Sequence, residues 1–597
     1  MPEIKYNTAP NPLELSVFTG MGETALDLKT IAKDVPCQEA CPAKTDVPEY
    51  IRQIAQGDMD AAYLINQEDN VFPGVLGRIC TRPCEPACRH EWTNTRGPVT
   101  ICHLKRSAAD GKRKPARPLP PWFPETGKKV AVIGGGPAGL TVARELKRCG
   151  HTVALFDRDE SLGGVMSFGI PIFRLPREVV REEIAAIVDS GIEVSLNAHI
   201  EDRMMHELHE KYDSLIVAAG AGRSILMPLE GLPEGLAVGG YDFIKDFNLG
   251  RLKKLSGDVL VIGGGFTAVD CVRAARRLLG KDGGRSIMLY RRTEAQMSAS
   301  AEELVEIRAE GCEIETLVTP VRARVEKGQL KAVTFIRNSL GEMIPGQAKP
   351  SITPLKGSEF ELPCSHLILA IGQDRTLEIL PEGAQFTDAH HTTREGLFCT
   401  GDFHYGSLDV IHAVADGKQV AREVDEFLMG CVRKTKRVKI VQEDDTWRLR
   451  DHDLADPRHM PVRPLEERTL NQEIELGYSP NATDVNAWRC YLCSYKYEID
   501  QDKCIHCDWC IKVSPRRCIL RLSELVRDSD GAPVSWTETE DNDAATYIWI
   551  QSDECIRCGN CIRVCPTDAI SLRKMTIVDK FTGEGEAVSL CPGCDCK

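Results

Sequence analysis

No run of eighteen apolar residues occurs in this chain of 597 residues, so the sequence predicts no transmembrane helix. The opening Met-Pro-Glu-Ile-Lys-Tyr lacks the apolar stretch of an export signal, so a cytoplasmic protein is expected. An excess of positive charge is also missing. The net charge is −14, which disfavours nucleic acid as a partner. Aromatic residues are few, at 6%, beside 42% hydrophobic and 27% charged residues. That balance describes a globular protein, and the length calls for three to five domains. Cysteine is the exception to these scarcities, with 25 copies. Their crowding at the two ends, in metal-ligand spacings, argues for reduced thiolates rather than a disulfide framework.

The last hundred residues carry the sharpest spacing. Cys504, Cys507 and Cys510 read C-I-H-C-D-W-C, and Cys555, Cys558, Cys561 and Cys565 read C-I-R-C-G-N-C-I-R-V-C-P. Thiolates at i, i+3 and i+6 wrap one face of a cuboidal [4Fe–4S] cluster, and the fourth cysteine of such a run serves the other cluster of the pair. After Cys510 the expected fourth cysteine is Ser514. Cys518 can replace it, and a serine ligand or a three-iron cluster are the alternatives. Cys490-x-x-Cys493 could add ligands or bind zinc. The tail Cys591, Cys594, Cys596 is redox-active, metal-binding or disordered.

The middle of the chain repeats one pattern twice. Lys128–Ile133 reads as a buried strand running into Gly134-Gly135-Gly136-Pro137-Ala138-Gly139. A helix follows, then a second strand that ends at Asp157. This is the dinucleotide fingerprint in its strand–loop–helix–strand context, with the phosphates expected at the helix N-terminus. Asp157 lies where a carboxylate accepts the ribose hydroxyls. The echo runs Val259–Ile262, then Gly263-Gly264-Gly265-Phe266-Thr267-Ala268, and its second strand ends in Tyr290-Arg291-Arg292. No carboxylate stands there. Arginine at that position suits the 2′-phosphate of NADP. No C-x-x-C lies between the two loops, so disulfide reduction is not expected. A third segment, Gly396 to Asp402, reads as a strand ending in Gly401-Asp402. The helix predicted over Ser407 to Lys418 would point its N-terminus at a flavin. Met166, Phe168 and the neighbouring Gly164 are expected at the flavin pocket. His404 is read as a packing or hydrogen-bonding residue rather than a catalytic one, and Cys149, Cys271 and Cys399 as packing groups.

Two connectors follow from composition. Residues 106–127 are basic and proline-rich, hence extended and stiff. Residues 433–487, with Pro457, Pro461, Pro464 and Pro480, read as a charged irregular segment, either a passive tether or a docking strap.

Gly134–Leu140, Gly263–Asp270, Tyr290-Arg291-Arg292 and Gly401-Asp402 together resemble the two-dinucleotide-domain flavoproteins. Cys37-Gln38-Glu39-Ala40-Cys41-Pro42, Gly77-Arg78-Ile79-Cys80, Cys84-Glu85 and Cys88 narrow the match. They resemble the iron–sulfur domain of the glutamate synthase small subunit. The NADPH half of dihydropyrimidine dehydrogenase and the large subunit of NADH-dependent ferredoxin:NADP oxidoreductase share that domain. The resemblance covers roughly residues 30–430. With its fused ferredoxin the chain looks most like the iron–sulfur flavoprotein that exchanges electrons with dissimilatory sulfite reductase.

The resemblance implies FAD at Gly134, Gly136, Pro137, Ala138, Gly139, Asp157, Gly164, Gly401 and Asp402. It implies NAD(P)H, with NADPH favoured, at Gly263, Gly265, Phe266, Thr267, Ala268, Arg291 and Arg292. It places Cys41, Cys80 and Cys84 on the cluster nearer the flavin, with Cys102 close to the position of the fourth ligand. The family carries further cysteines upstream of Cys37, and this chain has none. Cys37 and Cys88 then hold a second cluster only with non-cysteine help, or are buried apolar thiols. Three to four [4Fe–4S] clusters are expected in all.

The expected fold is multidomain α/β. A helical iron–sulfur domain with linker spans 1–125. An FAD-binding Rossmann-like domain spans 126–255 plus 365–432, and a NAD(P)H-binding one spans 256–364. A linker over 433–487 leads to an α+β bacterial-type ferredoxin domain over 488–597. The expected activity is NAD(P)H:acceptor oxidoreduction, because only a flavin links two-electron hydride donors to one-electron clusters. Electrons would pass to or from a large partner reductase, sulfite reductase being the specific expectation and sulfur metabolism the setting. The alternatives are an electron-input subunit of glutamate synthase type or of ferredoxin:NADP oxidoreductase type. A structural iron–sulfur scaffold without nicotinamide chemistry is a third reading, opposed by the intact Gly263 loop. A homodimer is compatible with the sequence.

Overall fold

The computed structural model describes residues 34–581 except 93–95, 281–282, 376, 388–389, 528–532 and 542. The cysteines of the tail, Cys591, Cys594 and Cys596, lie outside the described residues. The chain divides into two compact units. One comprises residues 116–424 with 462–476, and the other comprises 34–115, 425–461 and 477–581.

The first unit holds two five-stranded parallel sheets. In one, the order is Leu397–Cys399, Ser214–Val217, Lys129–Ile133, Thr152–Phe156, Glu193–Ser195. In the other it is Ala237–Gly239, His366–Leu369, Val259–Ile262, Ser286–Tyr290, Glu313–Thr316. The central strands are continuous apolar runs because helices cover both faces of a parallel sheet. Val130, Val132, Leu260 and Val261 are fully buried accordingly. Antiparallel strands Val318–Glu326, Gln329–Leu340 and Phe360–Pro363 extend the second half.

The segment 237–239 and the strand 366–369 pair in the second sheet. That sheet therefore starts before residue 256 and runs past residue 364. Both strands are only three or four residues long, too short for a periodicity signal.

The second unit joins chain segments nearly four hundred residues apart. Helices Val47–Ala55, Met59–Asn70, Pro73–Ile79 and Ile101–Gly111 come from the N-terminal part. Two three-stranded antiparallel sheets come from the C-terminal part. Tyr50, Ile51, Ile54 and Leu104 share one hydrophobic core with Tyr495, Ile519, Ile570 and Leu572. Each such fully buried side chain contributes about 1.5–3 kcal/mol. Lys574 Nζ reaches Glu49 at 2.8 Å, and Arg89 Nη1 donates to the Ser552 carbonyl at 2.8 Å. The helical iron–sulfur region and the ferredoxin are thus one body.

The 433–487 span is not uniformly irregular. Lys434–Glu443 is a strand paired along its length with Ile570–Phe581, and Pro480–Trp488 is a helix capped by Ser479. Local composition hid both, because six of the ten strand residues are charged or amide-bearing. Likewise 106–111, read as linker, is the last part of the helix Ile101–Gly111.

Candidate functional site

In the first unit the two glycine loops have matching geometry. Gly134 has φ +110°, and a Cβ there would lie 2.3 Å from the Ala218 carbonyl oxygen. The loop therefore accepts only glycine at its turn. Gly136 caps the helix Pro137–Arg148, and a Cβ built on it meets nothing within 4 Å. Gly265 caps Phe266–Leu279 and faces equally open space. Each loop thus opens free backbone N–H groups onto a vacant approach at a helix N-terminus, the arrangement that receives a pyrophosphate. The residues present fit two dinucleotides.

Around the first loop the predicted residues converge. A Cβ on Gly401 would lie 2.8 Å from Ala138 Cβ, and one on Gly164 would lie 3.0 Å from Gly136 Cα. Asp157 Oδ2 accepts from Gly135 N at 2.6 Å, and Oδ1 from Asp159 N at 2.8 Å. Burial raises the Asp157 carboxyl. Two of its four acceptor positions remain for ribose hydroxyls. Asp402 is pushed up to about 7 by burial, although it accepts from Leu408 N. Met166 and Phe168 are buried in the short turn Val165–Gly169. His404 is lowered to about 4 by burial and the nearby His390, and its Nδ1 has no partner among the described residues.

Sequence reasoning missed Asp416. It accepts from Gly401 N and Thr400 Oγ1, both at 2.6 Å, and from His390 Nε2 at 2.8 Å. It sits six residues into the helix Val410–Met429, where no motif marks it.

At the second loop Arg291 is exposed and has no acidic partner among the described residues. Arg292 Nε donates to the Pro350 carbonyl at 2.7 Å. Lys349 Nζ lies 3.4 Å from Tyr290 Oη. Three cations thus surround the strand end. Ala268 is fully buried, and Phe266 and Thr267 form the exposed start of the helix.

In the second unit the described thiols other than Cys431 fall into four groups. Cys41, Cys80, Cys84 and Cys102 form the first. Cys102 Sγ lies 3.2 Å from the Leu76 carbonyl oxygen, and the Arg82 N–H points at Cys80 Sγ at 3.4 Å. A hydrogen bond between Cys80 and Cys102 raises the former and lowers the latter, so the pair shares a proton. Burial would depress Lys105, yet the four surrounding thiols raise it. Lys105 was missed by the sequence reading, although it stands one turn after Cys102 on the same helix.

Cys37 and Cys88 form the second group, and here the expectation needs correction. They line one pocket with Cys490 and Cys493, so two further thiols stand beside them, together with the side chains of Arg89 and His90. Burial, with the thiols of Cys493, Cys88 and Cys490, pushes Cys37 up.

Cys504, Cys507, Cys510 and Cys565 line a further pocket. Cys518 gathers with Cys555, Cys558 and Cys561. It hydrogen-bonds Cys555, which is lowered to about 5 by that bond. Ser514 Oγ stays 3.4 Å from Cys518 Sγ. The fourth cysteine of the second run thus sits with the first run, as two-cluster ferredoxins require. Among the described residues no three His, Cys, Asp or Glu side chains converge tightly enough for a single metal ion. All these cysteines are unpaired by disulfides. Cys149, Cys271 and Cys399 are buried apart from the four groups.

Comparison with known proteins agrees with this arrangement. Residues 128–417 match the family described as pyridine nucleotide-disulphide oxidoreductase. Residues 30–116 match dihydropyrimidine dehydrogenase domain II, 4Fe-4S cluster, and residues 548–571 match a 4Fe-4S binding domain. The NADP(+)-dependent formate dehydrogenase subunit beta of Moorella thermoacetica is 34% identical over 77% of this chain and 70% of its own length. The NADPH-Fe(3+) oxidoreductase subunit beta of Geobacter sulfurreducens is 31% identical over 80% and 78%. The glutamate synthase [NADPH] small chain of Azospirillum brasilense is 31% identical over 66% and 86%. FAD, a pyridine nucleotide and [4Fe–4S] clusters are therefore the cofactors. No described helix is long and apolar enough to cross a membrane. The chain belongs to the glutamate synthase small-subunit-like family of FAD and iron–sulfur oxidoreductases.

Proposed function

We propose that the chain is the electron-input subunit of a larger reductase, oxidising NADPH and delivering single electrons to a partner. The observation that carries this is the pairing of two open glycine loops in one unit with grouped cysteines in the other. A flavin supplies the exchange between two-electron nicotinamide and one-electron clusters when bound.

The protein's own residues bind and orient. Gly134, Gly136, Pro137, Ala138 and Gly139 offer the first helix N-terminus, Asp157 the ribose acceptor, and Gly164, Gly401 and Asp402 the remaining walls. Gly263, Gly265, Phe266, Thr267 and Ala268 offer the second, and Arg291 and Arg292 select a 2′-phosphate. Cys41, Cys80, Cys84 and Cys102 hold one cluster, with Lys105 balancing its negative charge. Cys504, Cys507, Cys510 and Cys565 hold another. Cys518, Cys555, Cys558 and Cys561 hold a third.

The finer reading names dissimilatory sulfite reductase as the partner, on the strength of the fused ferredoxin. The glutamate synthase reading leaves the ferredoxin strands without a use. Affinity capture of the native-host protein, with partners identified by mass, tests this. Sulfite reductase subunits support the finer reading. A formate dehydrogenase or glutamate synthase catalytic subunit in their place overturns it.

A further inference from the structure

We propose that Cys37, Cys88, Cys490 and Cys493 together ligate a fourth [4Fe–4S] cluster, half of whose ligands come from each end of the chain. The inference rests on reading the other three thiol groups as cluster sites. It adds a site built from Cys490-Tyr491-Leu492-Cys493, a motif whose spacing suits cluster ligation and zinc alike.

Three observations converge. The four cysteines line one pocket whose other walls include Ile51, Val99 and Ile101 with Arg89 and His90, a mainly apolar enclosure with positive charge beside it, suited to a buried inorganic core of negative charge. The Cys490–Cys493 turn repeats the cluster-binding turns of the ferredoxin. Leu492 has φ +52°, as His506 has φ +51° before Cys507 and Arg557 has φ +56° before Cys558. Its N–H points at Cys490 Sγ at 3.4 Å, as the Arg82 N–H points at Cys80 Sγ. A leucine held in the left-handed region is strained and persists only where the surroundings impose it.

Neighbours suggest what the site does. On one side, Cys37 and Cys84 belong to the same buried core. On the other side, Arg557 reaches both groups of carbonyls. Its Nη1 donates to the Cys555 carbonyl at 2.7 Å and its Nη2 to that of Cys493 at 3.4 Å. The site therefore stands between the cluster of Cys84 and the cluster of Cys555. A cluster held there would supply a one-electron stop between the two, with no bond formed or broken.

The test uses the full chain, purified and reconstituted without oxygen. The native protein should carry about sixteen irons, four per cluster, with matching acid-labile sulfide. Cys490→Ser with Cys493→Ser should carry about twelve. Cys37→Ala, altered at the other end of the chain, should lose the same electron paramagnetic resonance component. Sixteen irons and an unchanged spectrum in the double variant would overturn the site. So would about twelve irons plus one zinc in the native protein, a measurement that needs no variant to fold. Iron content is independent of nucleotide chemistry. A protein with sixteen irons that fails to oxidise NADPH would sink the proposed function and leave this site standing.

Discussion

Gly265→Ala separates ligand binding from folding. Gly265 has an extended backbone, φ −106° and ψ 180°, which alanine adopts without strain. The added methyl meets no protein atom within 4 Å. Reduced freedom of the unfolded chain favours alanine by about 0.4–1 kcal/mol, and loss of a good N-cap residue offsets this by a similar amount. Stability should therefore change by less than about 0.5 kcal/mol. The same methyl occupies the approach of a pyrophosphate to the helix N-terminus. Loss of one charge-assisted hydrogen bond there costs about 1.5–3 kcal/mol, or about 10- to 150-fold in Kd. Flavin bleaching as a function of NADPH concentration, by anaerobic stopped flow, reads that Kd directly. Gly263→Ala is the contrasting control. Its φ is +151° and its Cβ would lie 2.3 Å from the Ala370 carbonyl oxygen, so it should lose about 2 kcal/mol or more of stability. A Gly265→Ala protein with native melting and a Kd within twofold of native would refute the binding role of this loop.

Other outcomes follow from the same geometry. Arg292→Ala should raise the KM for NADPH about tenfold or more and leave that for NADH within threefold, because a hydrogen bond to a charged group is removed; equal effects on both would remove the 2′-phosphate assignment. Cys518→Ser should alter the spectrum of one C-terminal cluster and slow the partner reaction while NADPH–dye activity stays native, and an unchanged spectrum would make Ser514 the ligand. Burial opposes protonation of His390, but Asp416 and Glu423 outweigh it and raise the histidine to about 9. Its contribution, about 3 kcal/mol at most, is therefore complete below about pH 6.5 and is lost as pH rises through 9. Because Asp416 also holds Gly401 N, FAD release should quicken over that window, and His390→Gln should flatten the dependence. Truncation after residue 433 should remove ferredoxin clusters and also destabilise the N-terminal helices, since Ile51 and Leu104 would lose Tyr495 and Leu572 from their core; an N-terminal fragment that melts as sharply as the full chain would contradict the shared core.

What the sequence made legible were local regularities. The glycine loops read correctly because strand, turn and helix are contiguous, and Gly134 can be replaced by nothing else. The ferredoxin runs were legible because their cysteines lie three residues apart, whereas Cys518, four residues past the expected position, was one of three alternatives, and the structure sets it against Cys555. What stayed hidden depends on contacts between distant segments. Cys490 and Cys493 carried a motif but no partner, since Cys37 and Cys88 lie about four hundred residues away in the chain. Asp416 and Lys105 act through a single helical turn that has no signature. The strand Lys434–Glu443 alternates poorly because its two faces are only partly buried, and its pairing with Ile570–Phe581 is what makes it a strand.

The central claim is that reducing equivalents from NADPH reach clusters held by this one chain. Anaerobic addition of NADPH to the fully loaded protein, followed by low-temperature electron paramagnetic resonance, tests it most directly. The account predicts that reduced [4Fe–4S] signals appear together with flavin bleaching. Bleached flavin with clusters that stay silent to NADPH, yet respond to a chemical reductant, would contradict it.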